Sequence, residues 1–289
     1  MKKITIVGMA LATGMALAGW AGAADSWDAD GDADYVVITA STDLASLGVK
    51  DQGSQEVTKA IRAALAGKPP ETKARILLGA TTEGSSRWQF VYLRSIVLLD
   101  AEGRLNGEER LVTHQSISGA VGYRLTPWKS GVKDGMEREF LSDVLRGEVP
   151  WKAGKMEGVR KTFFASGQLE AETEYAGGVA NGFTRTYDET GNLAREGTMK
   201  QGKRDGKMTD YWEGARQPKR VAHFQNGKAE GRLTEYYLSG NLKREASLKD
   251  DSLHGVEKQY EEDGKASLTR YWLNGDGVTE EDFKKGGGK

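Results

Sequence analysis

Cysteine is absent from the 289-residue sequence. That excludes disulfides, thiolate zinc sites, a cysteine nucleophile and a lipid-anchored N-terminal cysteine. The only histidines, His114, His223 and His254, do not form the H-x-x-x-H or H-E-x-x-H spacing of a helical zinc site. Proline is scarce, five residues against 38 glycines, so the chain is rich in tight turns rather than in disordered linker. Neither sign of charge is in excess, since 41 Lys plus Arg oppose 42 Asp plus Glu. Without a global field, nucleic acid is excluded as a partner and strong attraction to an acidic membrane is disfavoured. No P-loop, strand-to-helix G-x-G-x-x-G or G-x-S-x-G elbow is present. The reading is non-enzymatic and without a cofactor, the alternative being an enzyme in residues 35–130 that uses the rest as a targeting arm.

What is present in abundance is glycine at fixed spacing. Gly131, Gly154, Gly178, Gly202, Gly227 and Gly275 recur every 23 to 25 residues, with Asp251 on the remaining rung. A second glycine follows four residues later: Gly135, Gly158, Gly182, Gly206, Gly231 and Gly255. Five residues beyond each stands an aromatic: Phe140, Phe163, Tyr187, Tyr211, Tyr236 and Tyr260. Three residues before each first position is a large apolar side chain: Trp128, Trp151, Tyr175, Met199, Phe224, Leu248 and Trp272. A period of this length means a repeat architecture. The segments between glycines are too short for sturdy helices and are rich in Thr, Tyr, Phe and Val, which suits strands. Turns such as Thr190-Gly191-Asn192 and Ser239-Gly240-Asn241 supply the positive φ of tight hairpins. The fold expected is mainly β, an antiparallel β-meander of repeated hairpins forming a single elongated sheet, with a small N-terminal α+β unit.

These residues, a glycine, an aromatic five positions on and then a turn with Gly-x-Leu, resemble the variant MORN repeat. More narrowly they resemble bacterial proteins classed as MORN-repeat antitoxin components. The resemblance covers about half of the chain and implies a scaffold or partner-binding surface, with an antitoxin- or immunity-like role. The family's name also implies a membrane-surface module as the alternative. Asp251, Ala266 and the pair Gln217-Pro218 depart from the pattern.

Residues 1–24 carry Lys2 and Lys3, an uncharged run from Ile4 through Trp20 and small residues up to Ala24. This is the form of a cleavable signal peptide, so the expected location is the periplasm or the cell exterior; a retained anchor is the competing reading. Residues 25–34 form an acidic linker in which Asp28, Asp30, Asp32 and Asp34 alternate. Calcium loops use that spacing, but Gly31 precedes Asp32 instead of following it and no Glu closes the loop near Thr39, so a solvated tail is expected. In residues 35–130, strands are expected at Tyr35 to Ala40, Arg75 to Gly79, Trp88 to Leu99 and Glu109 to Ile117. A helix over Glu56 to Ala66 is stopped by Gly67. Gly107 lies 24 residues before Gly131, which suits a degenerate first repeat capping the array over 131–275. Residues 276–289 read as a terminal turn and a frayed tail.

Side chains alternate across a strand, so the repeat aromatics Phe163, Tyr187, Tyr211, Tyr236 and Tyr260 face one side as the structural core, with Gly158, Gly182, Gly206, Gly231 and Gly255. Their successors Phe164, Asp188, Trp212, Tyr237 and Glu261 face the other. Phe164, Trp212 and Tyr237, extended by Tyr271 near the last copy, form a candidate surface for another protein, or else a less regular packing face.

Overall fold

The computed structural model describes residues 36–39, 42, 52–82, 89–115 and 121–286. The signal-like segment and the aspartates Asp28, Asp30 and Asp32 lie outside the described residues. The chain opens with β1 (Val36–Thr39), α1 (Gln52–Leu65), β2 (Lys73–Thr82), β3 (Gln89–Leu98), β4 (Gly107–Gln115) and β5 (Val121–Lys129). The repeats follow as β6 (Val132–Lys133), β7 (Gly135–Leu141), β8 (Val144–Lys152), β9 (Lys155–Met156), β10 (Gly158–Phe163), β11 (Leu169–Ala176) and β12 (Val179–Tyr187). They continue through β13 (Leu193–Lys200), β14 (Lys203–Tyr211), β15 (Pro218–Gln225), β16 (Lys228–Tyr236) and β17 (Leu242–Lys249). The last elements are β18 (Ser252–Leu253), β19 (Gly255–Tyr260), β20 (Ala266–Leu273), β21 (Asp276–Val278) and α2 (Glu280–Lys285).

Every pairing is antiparallel and runs between strands close in sequence, the two-residue strands β6, β9 and β18 pairing only with the strand before them, so all 21 strands form one open meander, the fold class read from the sequence. The first five strands belong to the same sheet, β3 joining β4 through Ser95↔Leu111 and Ile96↔Arg110. Ile61 and Leu65 of α1 pack with Ile38, Ala74 and Ile76 to make the best-buried cluster. Gly67, at φ 70°, stops α1 as expected, although the helix begins at Gln52, before the predicted start.

Two kinds of turn alternate along the meander. At Gln201-Gly202 the two loop residues have φ of 50° and 77°, and at Asn226-Gly227 of 52° and 92°. This left-handed pair matches the twist of the flanking strands, and glycine takes the second place without steric cost. Asp251 holds the same place at φ 70°, and its carboxylate accepts from the Ala229 N–H at 2.7 Å, so the departure from glycine adds a bond. The opposite turns that begin at Phe164, Asp188, Tyr237 and Glu261 are three-residue loops. At Asp188 the N–H donates to Asn192 O and the Gly191 N–H donates to Asp188 O, with Gly191 at φ 85°.

The second glycine of each repeat has a fixed opposite. Gly107 faces Trp128, Gly135 faces Trp151, Gly158 faces Tyr175, Gly182 faces Met199, Gly206 faces Phe224, Gly231 faces Leu248 and Gly255 faces Trp272. Paired residues share a sheet face, so a row of large apolar side chains lies over glycines on what is here the front face. A further glycine is needed at Gly197, where a β-carbon would collide with the Met208 sulfur.

Adjacent repeats are also stapled at the two-residue turns. In five repeats the residue before the second glycine accepts from a turn N–H one repeat on: Asp134 from Ala153, Glu157 from Gly177, Asp205 from Asn226, Glu230 from Asp250 and His254 Nδ1 from Asn274. The turn N–H of Gly202 reaches Ala180 O at 2.8 Å, and that of Gly227 reaches Arg204 O at 2.8 Å. Such bonds stitch each repeat to its neighbour, the only contact a repeat array can use.

The chain ends differently from the terminal turn read from the sequence. Thr279 Oγ1 accepts from Asp282 N–H and caps α2, whose Phe283 is buried against the Tyr271 ring at 5.4 Å. A threonine cap, acids in the first turn and lysines in the last stabilise even this short helix.

Candidate functional site

The repeat aromatics lie on the back face, and the phenols of Tyr187, Tyr211 and Tyr260 pair with carboxylates on the adjacent strand. Tyr187 Oη donates to Glu172 at 2.8 Å, Tyr211 to Glu196 at 2.6 Å and Tyr260 to Glu245 at 3.1 Å. Burial and the Glu196 carboxylate push the Tyr211 phenol up to about 12, and burial with Glu172 raises Tyr187 likewise. Across each loop the aromatic meets an apolar partner: Phe163 opposite Leu169, Tyr187 opposite Leu193, Tyr211 opposite Pro218 and Tyr236 opposite Leu242. These rings are half-buried, and one strand inward the back face carries alternating charge, Arg185 contacting Glu172 and Glu196.

The next residue in each of these strands begins a loop and turns to the front face. Phe164 and Tyr237 are fixed by N–H bonds to Gln168 O and Asn241 O; in the longer third loop Trp212 bonds Gln217 O. The Tyr237 hydroxyl donates to Tyr260 O at 2.8 Å, tying one tip to the next strand. Lysines lie over two of the rings, Lys219 Nζ 4.7 Å from the Trp212 centroid and Lys243 Nζ 5.5 Å from Tyr237. The Trp212 indole N–H is buried without a hydrogen-bond partner. Asp188 occupies the same column, but its carboxylate is consumed by its own loop. Hydrogen bonds from Thr190, then Asn192, hold it down at about 2.

Tyr271 does not stand with Phe164, Trp212 and Tyr237. It precedes Trp272, which lines the front face, and so points to the back, where Phe283 covers it. Beyond Tyr237 the front face deepens into a groove of about 460 Å³ lined by Tyr237, Arg244, Glu257, Gln259, Arg270 and Trp272. Its floor is Glu257, 2% exposed, which accepts from Arg244 Nε, Gln259 Nε2 and Trp272 Nε1 at 2.8, 2.9 and 2.7 Å. Burial pushes this carboxyl up, but the three donors outweigh it and hold the group below the usual carboxylate range. Glu109 does the same for the first repeat, accepting from the Trp128 indole at 3.0 Å and from Ser95. Glu137, in the same column, instead takes Thr126 and Lys133, leaving the Trp151 indole N–H without a partner. Sequence reasoning missed this column of buried glutamates two places after the second glycine. The signal was there in Glu109, Glu137 and Glu257 once the repeats are aligned beneath one another.

Nothing in this constellation resembles a reacting centre. His223 lies on β15 and His254 between β18 and β19, where it is engaged as a turn staple. Among the described residues, no group of three or more His, Asp or Glu is placed to hold a metal ion.

The architecture defines a β-repeat protein, an open antiparallel meander of glycine-punctuated hairpins. Two stretches, residues 156–176 and 229–250, match the family model described as MORN repeat variant, which supports reading the chain as a MORN-repeat protein. Both begin two residues before a second glycine and end at a two-residue turn, so they cut the repeat at the same phase as the structure. No curated protein matches the chain.

Proposed function

We propose that this chain is a non-enzymatic binding module that engages another protein through the front face of its sheet. The observation that carries the reading is the row Phe164, Trp212 and Tyr237. These half-buried rings stand on a rigid sheet, two of them carry a lysine, and the Trp212 indole N–H has no partner within the chain. Aromatic rings held rigidly at low entropic cost, with polar groups beside them, are what protein recognition surfaces use. Repeat proteins of this kind commonly serve as binding modules; on this reading the chain has an antitoxin- or immunity-like or scaffolding role outside the cytoplasm.

Affinity capture from cell-envelope extract, comparing the wild-type chain with Trp212→Ala plus Tyr237→Ala, tests the surface. Loss of a specific prey supports it, and equal recovery of every prey removes the row as the site. Fractionation with N-terminal sequencing of the mature chain tests export: a start near Ala24 or Asp25 supports it, and an intact Met1 in the cytoplasm overturns it. Co-sedimentation with anionic vesicles at moderate salt separates the protein reading from a lipid one.

A further inference from the structure

The last full strand has a half-open edge. β20 is paired with β19 from Ala266 to Trp272, but β21 covers only Tyr271, Trp272 and Leu273. After Val278 the chain leaves the sheet into α2 and does not continue beside Arg270. Residues Ala266 to Arg270 are all exposed, and among the described residues no strand other than β19 and β21 pairs with β20. Leu268 is 37% exposed in the middle of this stretch. In an antiparallel pair joined by a two-residue turn, the residues flanking the turn exchange both backbone bonds, and alternate residues share that edge. Counting back from Leu273, Thr269 therefore directs its N–H and C=O outward.

The side chains along that edge have one chemical preference. On the front face each strand answers the charge of its neighbour: Arg195 meets Asp210, Arg220 stands opposite Glu235, and Glu235 opposite Arg244. Arg270 is opposite Glu257, but the Glu257 oxygens are already taken by Arg244, Gln259 and Trp272. Among the described residues Arg270 is thus left as a cation without an ion pair. Acids at either end of the stretch are occupied, Glu280 by Lys284 and Asp263 by Lys265. Glu261 at the loop tip is the remaining carboxylate on the groove rim.

We infer that the Ala266–Arg270 edge of β20 accepts an extended segment of a partner protein as an added antiparallel strand. The segment carries an acid opposite Arg270 and an apolar residue opposite Leu268. Read from its N-terminus, such a segment has the pattern acid, any residue, apolar, because an added strand running with β21 meets Arg270 before Leu268. Strand addition takes affinity from the backbone and specificity from alternate side chains, and an exposed edge is a ready template for it. This deepens the proposed protein-binding role but uses a separate part of the sheet from Phe164 and Trp212.

The test uses the full chain and a fluorescent eight-residue peptide, read by anisotropy. Its centre is glutamate, threonine, valine, with serine and threonine on both sides, and a second peptide has lysine for the glutamate. The wild-type chain should bind the acidic peptide about threefold more tightly than the lysine one, the effect of one exposed cross-strand pair. Arg270→Glu should reverse that order, and it leaves the edge backbone intact. Thr269→Pro removes an outward N–H without breaking the β19 ladder, and should lower affinity at least tenfold, roughly the loss of an edge hydrogen bond plus ring hindrance. Indifference to Thr269→Pro, or no preference between the peptides, overturns the inference. So does a concentration-dependent dimer in sedimentation that Thr269→Pro abolishes, since the edge then takes a second copy. If prey capture depends on Trp212 and Tyr237 while the edge variants bind peptide like the wild type, the edge inference fails and the front-face reading stands.

Discussion

Removing the Glu257 carboxylate should loosen the last repeat selectively. The side chain is 2% exposed and accepts three hydrogen bonds. Glu257→Ala strands the Trp272 indole N–H, worth about 2 kcal/mol as a buried donor that has lost a charged acceptor. Arg244 keeps Glu235 at 3.5 Å and is 23% exposed, so its share is smaller, about 1 kcal/mol after screening. The sum, about 3 kcal/mol, corresponds to roughly a hundredfold faster opening of β19 and β20. A repeat array opens from its ends, so the readout is hydrogen exchange of segments covering β19 and β20 against those covering β11 and β12, which should not change. Glu257→Gln keeps the shape and should cost about half as much. The sign with pH follows from the lowered carboxyl. The unfolded chain, with an ordinary value of 4.5, binds the proton first, so the Glu257 contribution is complete above that value. It disappears as pH falls through the folded value, and the Ala variant should converge on wild type in acid. Less than fivefold acceleration at neutral pH, or equal acceleration in β11 and β12, would refute the claim that this glutamate organises the terminal repeat.

Three further outcomes are expected. Tyr211 should ionise near 12 by ultraviolet titration, and Glu196→Gln should bring it down towards 10; the folded chain, its Tyr211 value raised, should lose stability as pH rises from about 10 to 12. Gly202→Val forces a β-branched residue into φ 77° and should cost about 1–2 kcal/mol in urea unfolding, whereas the same change at Gly286, φ −75°, escapes that left-handed penalty. Gly197→Ala should destabilise through its collision with the Met208 sulfur, and adding Met208→Ala should recover part of the loss, seen as a positive coupling in thermal melts.

The meander was legible because one residue type, glycine, is demanded at turns by backbone sterics that no neighbour can override. Gly202 and Gly227 were readable as turn residues from spacing alone, and the strand lengths follow from the intervals between them. Less legible were features that depend on side chains meeting across a pair. The staple from Asp205 to Asn226 spans 21 residues, and nothing local to Asp205 distinguishes it from a solvated acid. Nothing local marks His254 either, yet its Nδ1 stands in for the carboxylates of Glu157 and Asp205 as acceptor. The helix at Glu280–Lys285 is hidden because six residues give no helical period; its cap, its end charges and the burial of Phe283 hold it. The aromatic row was legible as alternation, but the reversal of Tyr271 required knowing that Trp272, not Tyr271, fills the position over Gly255.

Why the partner leaves so little trace in the sequence follows from how the columns of the repeat are used. The first glycine is fixed by the two-residue turn and the second by the large side chain above it. The residue before the second glycine is fixed by the staple to the next turn, and the fifth-position aromatic by its carboxylate and its apolar partner across the loop. Each column has one structural task, so each is uniform in kind. The loop-opening column holds Phe164, Asp188, Trp212, Tyr237 and Glu261, five residues with little chemistry in common. Its N–H bonds across the loop in every copy, but its side chains share no common partner: the Asp188 carboxylate closes its own loop and the Tyr237 hydroxyl reaches Tyr260 O. A position where architecture imposes no requirement is where recognition can vary residue by residue. If that is its use, exchanging Trp212 and Glu261 should leave urea unfolding within about 1 kcal/mol of wild type, as for surface positions, while prey capture is lost. A large loss of stability from the exchange would instead assign the column to packing.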